Sequence, residues 1–257
     1  MKSYSILTFI IGKGYEKVHE ILNKQDNVEY ILVTDDDALE SKTWNVVYDK
    51  DLLQYKTPFE RCFRIRYNVF KYVTTDICVT IDGSMQVKGS LDNLINKFND
   101  ENYDICLMPH PIWSDFYTEY NAWMRMRNYP IDQAKRAINF FTSKKYDFSY
   151  NGLFQLCFSI KRRSELTTNI DKITFESLIE LSSGGEFERL DQTIFSYIMN
   201  TKFNHVKVLP VSEQVVRSNA IQWYWHNSDK PNMNIFYDIN KDDIKYVFNK
   251  KVVCKYI

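Results

Sequence analysis

The stretch "TIDGSMQVKGSLDNL", Thr80 to Leu94, decides how this chain is read. It is entered through Ile77-Cys78-Val79-Thr80-Ile81, a run of mostly β-branched apolar residues with the length and composition of a buried strand. The run ends on Asp82 and breaks at Gly83-Ser84, residues that favour tight turns. A second apolar alternation, Met85 and Val87, follows, and Leu91 to Phe98 then has helical spacing. A polar turn alone accounts for an aspartate at this point. So does a carboxylate held at a strand end to bind a metal that carries a phosphate.

Working outward, Ser5 to Ile11 is an apolar strand that ends at Gly12-Lys13-Gly14, and Tyr15 to Leu22 has helical spacing. Tyr30 to Asp37, "YILVTDDD", reads as a buried strand ending in three acids, and Trp44 to Asp49 as another strand. Pro58 to Val73 reads as a helix with proline in its first turn. Asp104 to Pro111 is a strand running into a loop. This alternation predicts an α/β fold with a Rossmann-type, mostly parallel sheet flanked by helices. Further on, Ser114 to Phe141 predicts two aromatic and charged helices parted at Tyr129-Pro130. Asn151 to Arg163 predicts a loop and a strand, Thr174 to Leu181 and Asp191 to Asn200 two helices, and His205 to Val211 a last strand.

Composition narrows the classes. The 257 residues carry 33 Lys plus Arg and 33 Asp plus Glu, so no bulk charge draws the chain to nucleic acid or to an acidic membrane. An anionic ligand must be held by a local site. Aromatic residues make up 16%, which suits stacking on sugars and bases as well as core filling. Cys62, Cys78, Cys106, Cys157 and Cys254 form no C-x-x-C pair, and three of them sit in strand-like runs. That pattern reads as reduced core thiols in a cytoplasmic protein. The apolar run at the N-terminus is too short for a membrane helix. Seven glycines and six prolines leave no flexible linker, and no repeat is visible, so 1–257 is expected to be a single domain.

Ligands of open parallel sheets sit at the carboxyl ends of the strands. Asp35-Asp36-Asp37, Asp82-Gly83-Ser84 and His110 all fall at predicted strand ends and predict a polar rim there. Ile77 to Leu94 moreover resembles the metal-binding segment of nucleotide-sugar glycosyltransferases of the A-type (GT-A) fold. The nearest group is the retaining glycogenin-like and lipopolysaccharide galactosyltransferase-like one. The pattern there is an apolar strand, D-x-D, two or three apolar residues and G-D-L-x-x-L. Here Asp82 stands first, Ser84 replaces the second Asp, and Met85, Val87, Gly89, Leu91 and Leu94 follow. "VTDDD" is similar to the acidic strand end that meets the nucleoside, and Arg64 and Arg66 lie in the preceding helix, where the group carries an arginine. "SYNGLF", Ser149 to Phe154, resembles an acceptor-side F-N-S-G-[VL] strand without its serine. "ERLDQTIFSYIM" resembles a D-Q-D-x-x-N helix start, with Asp191 and Gln192 matching and Thr193 replacing the second Asp. "HNSDKP", His226 to Pro231, resembles a terminal H-x-x-G-x-x-K-P motif, two residues shorter and without its glycine.

The resemblance implies a GT-A-like fold with a nucleotide-binding half, 1–110, and an elaborated acceptor-side half with a C-terminal lid, 111–257. It implies a nucleotide-sugar donor, a uridine diphosphate sugar first among them, and a glycan or glycolipid acceptor in surface polysaccharide synthesis. The location implied is the cytoplasm, or peripheral contact with the inner face of the membrane, with no transmembrane segment and no nucleic acid. Donor-binding residues would be Thr8, Asp35, Arg64, Arg66, Asp82 and Lys230. A Mn²⁺ or Mg²⁺ ion would take Asp82, Ser84 and His226 as ligands and neutralise the leaving diphosphate. Asp191 and Gln192 would lie beneath the anomeric carbon, with Asp191 as general base in an inverting enzyme and Gln192 steadying the oxocarbenium face in a retaining one. His19 is expected on a helix surface and His110 in a fixed loop. Arg61, Arg64 and Arg66 cannot share one helix face. Glu119 pairs with Arg125 or Arg127, or binds sugar hydroxyls. Two other classes stay open: a sugar nucleotidyltransferase, for which "IIGKGYEK" is a poor phosphate loop, and a non-catalytic carbohydrate-binding or interaction protein on the same scaffold.

Overall fold

The first two strands have no polar face. β1, Tyr4–Ile10, is buried at every position and β2, Val28–Thr34, at all but one, the pattern of strands covered on both sides. The structure is a computed structural model and describes residues 3–110, 136, 139–145, 152–182, 191–224 and 228. β3 (Asn45–Tyr48), α1 (Pro58–Arg66), β4 (Ile77–Ile81), β5 (Met85–Val87), α2 (Asp92–Asp100) and β6 (Ile105–Pro109) follow. Then come β7 (Phe154–Arg162), α3 (Glu165–Ser182), α4 (Asp191–Lys202), β8 (Val208–Pro210), α5 (Glu213–Asn219) and β9 (Ile221–Trp223). The main sheet has seven strands in the order β3-β2-β1-β4-β7-β6-β8, and β5 pairs with β9 in a separate ribbon. β7 runs antiparallel to both β4 and β6, and the other pairings of the main sheet are parallel. The expected α/β fold with a mostly parallel sheet and flanking helices is therefore present.

Side-chain alternation sorts the core. Tyr4, Ile6 and Ile10 of β1 pack with Leu32, Val79 and Ile81 on one face, against Ile95 and Phe98 of α2. Leu7 and Phe9 pack on the other with Ile31, Val33 and Ile65 of α1. A third cluster joins Ile105 and Leu107 of β6 to Ile170 and Leu178 of α3 and Ile194 and Ile198 of α4. Among the described residues, no helix is long and apolar enough to cross a membrane.

Local chemistry fixes the helix ends. Thr57 caps α1 through the Glu60 amide, Glu60 returns a bond to the Thr57 amide, and Pro58 takes the first turn. The helix stops at Arg66 rather than running to Val73, because Asn68 leaves helical backbone at φ −151° and only a short 3-10 turn, Val69–Lys71, follows. α3 begins well before Thr174, since Ser164 accepts from the Thr167 amide and starts the helix. Its β-branched first turns hide the helix from periodicity.

The segment Tyr15 to Leu22 is not helical. Gly12 and Gly14 take left-handed backbone, at φ 85° and 73°, and turn the chain along the sheet. Its polar groups then bond sideways: the Leu22 amide to Val87 O at 3.0 Å and the Ile21 amide to Thr43 Oγ1 at 2.9 Å. The Glu20 carboxylate accepts from the Ser41 hydroxyl and the Lys42 and Thr43 amides. His19 consequently lies inside rather than on a surface. It stacks on Tyr224 at 4.3 Å, and its carbonyl accepts from Trp44 Nε1 at 3.0 Å.

Candidate functional site

The strand order sets where a ligand would lie. From β1 the sheet grows one way through β2 and β3, and the chain then crosses to β4 on the other side. The carboxyl ends of β1 and β4 flank this switch point, where open α/β sheets bind ligands. A cavity of about 620 Å³ opens there. Its lining includes the loop from Gly12 to Glu16, Asp82-Gly83-Ser84, Pro58, Phe59, Cys62 and Phe63 on one side of α1, Gln155 and Cys157 of β7, and Asp191-Gln192.

The Asp82 turn closes tightly. The Met85 amide donates to Asp82 O at 3.0 Å, a β-turn that accounts for Gly83-Ser84 without any ligand. Gly83 is required by close approach: a Cβ there would stand 2.8 Å from Phe9 O and 3.3 Å from Ile10 Cγ1. The turn is thus pressed against the end of β1. On its other side the Asp82 amide donates to Cys157 O at 3.0 Å, and the Tyr224 amide to Ser84 O at 2.9 Å.

Arg66 joins elements far apart in the chain. Its Nη2 donates to Asp82 Oδ1 at 2.5 Å and its Nη1 to Asp191 Oδ2 at 2.6 Å. The guanidinium also lies 5.5 Å from the centre of the Phe9 ring. The Arg66 and Asp191 side chains are 13% and 11% exposed, and Asp82 is 34% exposed. Burial alone works against a charge on Arg66, but the carboxylates of Asp82 and Asp191 outweigh it and hold the guanidinium firmly protonated. Arg66 Nε is buried with no hydrogen-bond partner among the described residues.

The end of β7 completes the wall. Its register against β6 jumps between Leu107, opposite Ser159, and Met108, opposite Gln155. Past β4 the strand has backbone amides to satisfy, and α4 meets them. The Phe154 amide donates to Ser196 Oγ at 2.8 Å and the Leu156 amide to Gln192 Oε1 at 3.2 Å. The first turn of α4, with Asp191 and Gln192, is thereby held at the cavity. Gln155 is 9% exposed, and its Oε1 finds no hydrogen-bond partner among the described residues. Cys62 and Cys157 also line the cavity. Burial pushes the Cys62 thiol up to about 12 and the Cys157 thiol well above its ordinary value, so both are neutral thiols near pH 7.

Of the residues singled out in the sequence, Asp82, Ser84, Arg66, Asp191 and Gln192 meet in this cavity. Asp35, Arg64 and Thr8 do not line it. Asp35 holds the loop after β1 instead, accepting from the Gly12 amide at 2.8 Å and from Arg61 Nη1 at 2.7 Å. Arg64 lies over the Phe175 ring at 5.3 Å. The three arginines of α1 thus reach three different places, as their spacing requires. Thr8 is buried within β1, and its Oγ1 has no hydrogen-bond partner among the described residues. His226, Lys230 and Glu119 lie outside the described residues, as do most of the helices expected over Ser114 to Phe141. Gln155, Cys62 and Cys157 were not anticipated. A glutamine inside the apolar run "LFQLCFSI" was the available signal for the first.

The donors at the turn fit a hard cation in kind: the carboxylates of Asp82 and Asp191, the Ser84 hydroxyl and the Gln155 amide oxygen are all oxygens. Arg66 nevertheless sits on both carboxylates. No group of three or more His, Cys, Asp or Glu able to hold a metal occurs among the described residues. Neither a scan against protein-family models nor a search of curated proteins finds a match for this chain.

Proposed function

We propose that the chain is a glycosyltransferase of GT-A-like fold that moves a sugar from a nucleoside-diphosphate sugar to a glycan or glycolipid acceptor. One observation carries this reading. Asp82-Gly83-Ser84 and Asp191-Gln192, drawn from opposite halves of the sequence, border a single cavity at the switch point of the sheet, with Arg66 between them. The cavity is large enough for a small ligand, and Phe9, Phe59 and Phe63 offer flat apolar walls.

In this reading the acceptor oxygen forms a bond to the anomeric carbon while the bond from that carbon to the diphosphate oxygen breaks. Asp191 stands at the start of α4, and Arg66 fixes one of its oxygens. In an inverting reaction its carboxylate takes the acceptor's proton. In a retaining reaction the leaving phosphate takes it, and Gln192 faces the developing oxocarbenium ion. A divalent cation, when bound, would supply charge neutralisation of the leaving diphosphate; Asp82 and Ser84 are among the described residues that would hold it.

A thermal-shift panel of uridine, guanosine, cytidine and adenosine diphosphates, each with and without Mn²⁺, tests the donor class. A nucleotide at about 100 times its Kd stabilises the native state by about 2.7 kcal/mol, a rise of several degrees for a chain of this size. No shift with any of them sinks the reading. A second reading, binding without transfer, draws on the engagement of both acids by Arg66. Nucleotide or glycan binding with no donor breakdown would establish that one.

A further inference from the structure

Among the described residues, the charged ones that line the cavity are Lys13, Arg66, Glu16, Asp82 and Asp191, two cations against three acids. An anionic ligand therefore meets net negative charge from the described residues of this wall unless their ion pairs rearrange. Among the described residues that line the cavity, Arg66 is the buried cation, and it bridges two carboxylates at 2.5 and 2.6 Å. Among the described residues its Nε finds no acceptor, and Gln155, nine-tenths buried in the same wall, has an Oε1 that finds no donor. Buried polar atoms without partners are uncommon, and a bound ion or water is one arrangement that satisfies them. Here one asks for an acceptor and the other for a donor or a cation.

We propose that Arg66 is a gate on a latent divalent-metal site made by Asp82 and Asp191, with Ser84 and Gln155 as neutral oxygen ligands. While the guanidinium bridges the two carboxylates it fills the place of the cation, and free Mn²⁺ is kept out. A phosphate competes for the guanidinium on equal terms, since arginine binds phosphate and carboxylate through the same fork of N–H donors. A diphosphate that draws Arg66 to itself releases two carboxylates, and these then take the metal. Ligand and metal bind with positive coupling, and each strengthens the other by the same factor. Exclusion of free metal by Arg66 stands without the glycosyltransferase reading. Its release by a nucleoside diphosphate rests on that reading.

The test is a Mn²⁺ titration followed by the electron paramagnetic resonance of the free ion, on the full chain, with and without uridine diphosphate. Wild type should bind Mn²⁺ about tenfold or more weakly alone than with the nucleotide, within the ordinary range of coupling energies. Arg66→Gln should bind Mn²⁺ without nucleotide about as tightly as wild type does with it. Adding Asp82→Asn to Arg66→Gln should abolish the gain, which separates this site from adventitious sites elsewhere. Cooperative melting by circular dichroism checks that the variants fold. Should Arg66→Gln not fold, Arg66→Lys keeps the charge but cannot bridge both acids, and it should still raise the affinity for Mn²⁺ alone. Wild type binding Mn²⁺ alone as tightly as with nucleotide overturns the gate. A gain in Arg66→Gln with no effect of any nucleotide upholds the exclusion of metal and counts against the nucleotide reading.

Discussion

Lys161 of β7 meets Asp171 of α3 at 2.5 Å with both side chains almost sealed from solvent, 3% and 6% exposed. The lysine also donates to Arg66 O at 3.2 Å and lies 5.2 Å from the centre of the Tyr67 ring. It thereby ties the central antiparallel strand to both α3 and the end of α1. Burial pushes the Asp171 carboxyl up, and Lys161 only partly offsets that. Removing one partner strands the other charge in the core. Lys161→Met or Asp171→Leu alone should cost about 3–5 kcal/mol in urea unfolding, whereas the double replacement should recover most of the loss. Equal costs for the single and double variants would show that the pair is not coupled.

Gly83→Ala should cost about 1–3 kcal/mol, because the new methyl meets the Phe9 carbonyl rather than a flexible side chain. It should weaken nucleotide binding along with stability, since the turn must lift off β1 to make room. A variant with unchanged unfolding free energy would mean that the two strand ends are free to part.

Asp35 bonds the Gly12 amide and Arg61 with a side chain that is 4% exposed. Asp35→Ala leaves both donors without their acceptor, at a cost of about 1–3 kcal/mol. Hydrogen exchange at the Gly12 amide should accelerate with it. Exchange unchanged from wild type would show that the loop is held by other means.

His110 follows β6 and is pushed down to about 4 by burial, from an ordinary 6.5. Between those values the unfolded chain binds a proton there that the native protein does not. Stability from this group is therefore complete above pH 6.5 and declines as pH falls toward 4. His110→Gln should flatten that part of the pH–stability curve, as read from melting temperatures between pH 4 and 7. A wild-type curve that is flat in this window would place His110 in contact with water.

The sheet was legible where strands are buried on both faces. β1, β2, β4 and β6 are continuous apolar runs, and their turn residues mark the ends. α5 and β9 escaped because each is short, and β9 is a strand only by virtue of pairing with β5. Tyr15 to Leu22 misled because its spacing is helical, yet Tyr15 and Leu22 are exposed and the Ile21 and Leu22 amides bond sideways to Thr43 and Val87 instead of along a helix. At the site, Asp82 and Asp191 could be read as acids at element ends. Their shared partner could not, since Arg66 lies 16 residues from one and 125 from the other and local periodicity carries no such contact.

The place of β7 bears on how the chain is made. Its edge pairings run from Ile77 opposite Arg162 to Ile81 opposite Phe158, so β4 waits for a strand synthesised long after it. On the ribosome the first four strands can assemble while one side of β4 still presents bare amides and carbonyls. That open edge is an invitation to intermolecular pairing until residue 162 has left the exit tunnel. Slow translation between β6 and β7 lengthens the exposure, and early stop codons in that interval make it permanent.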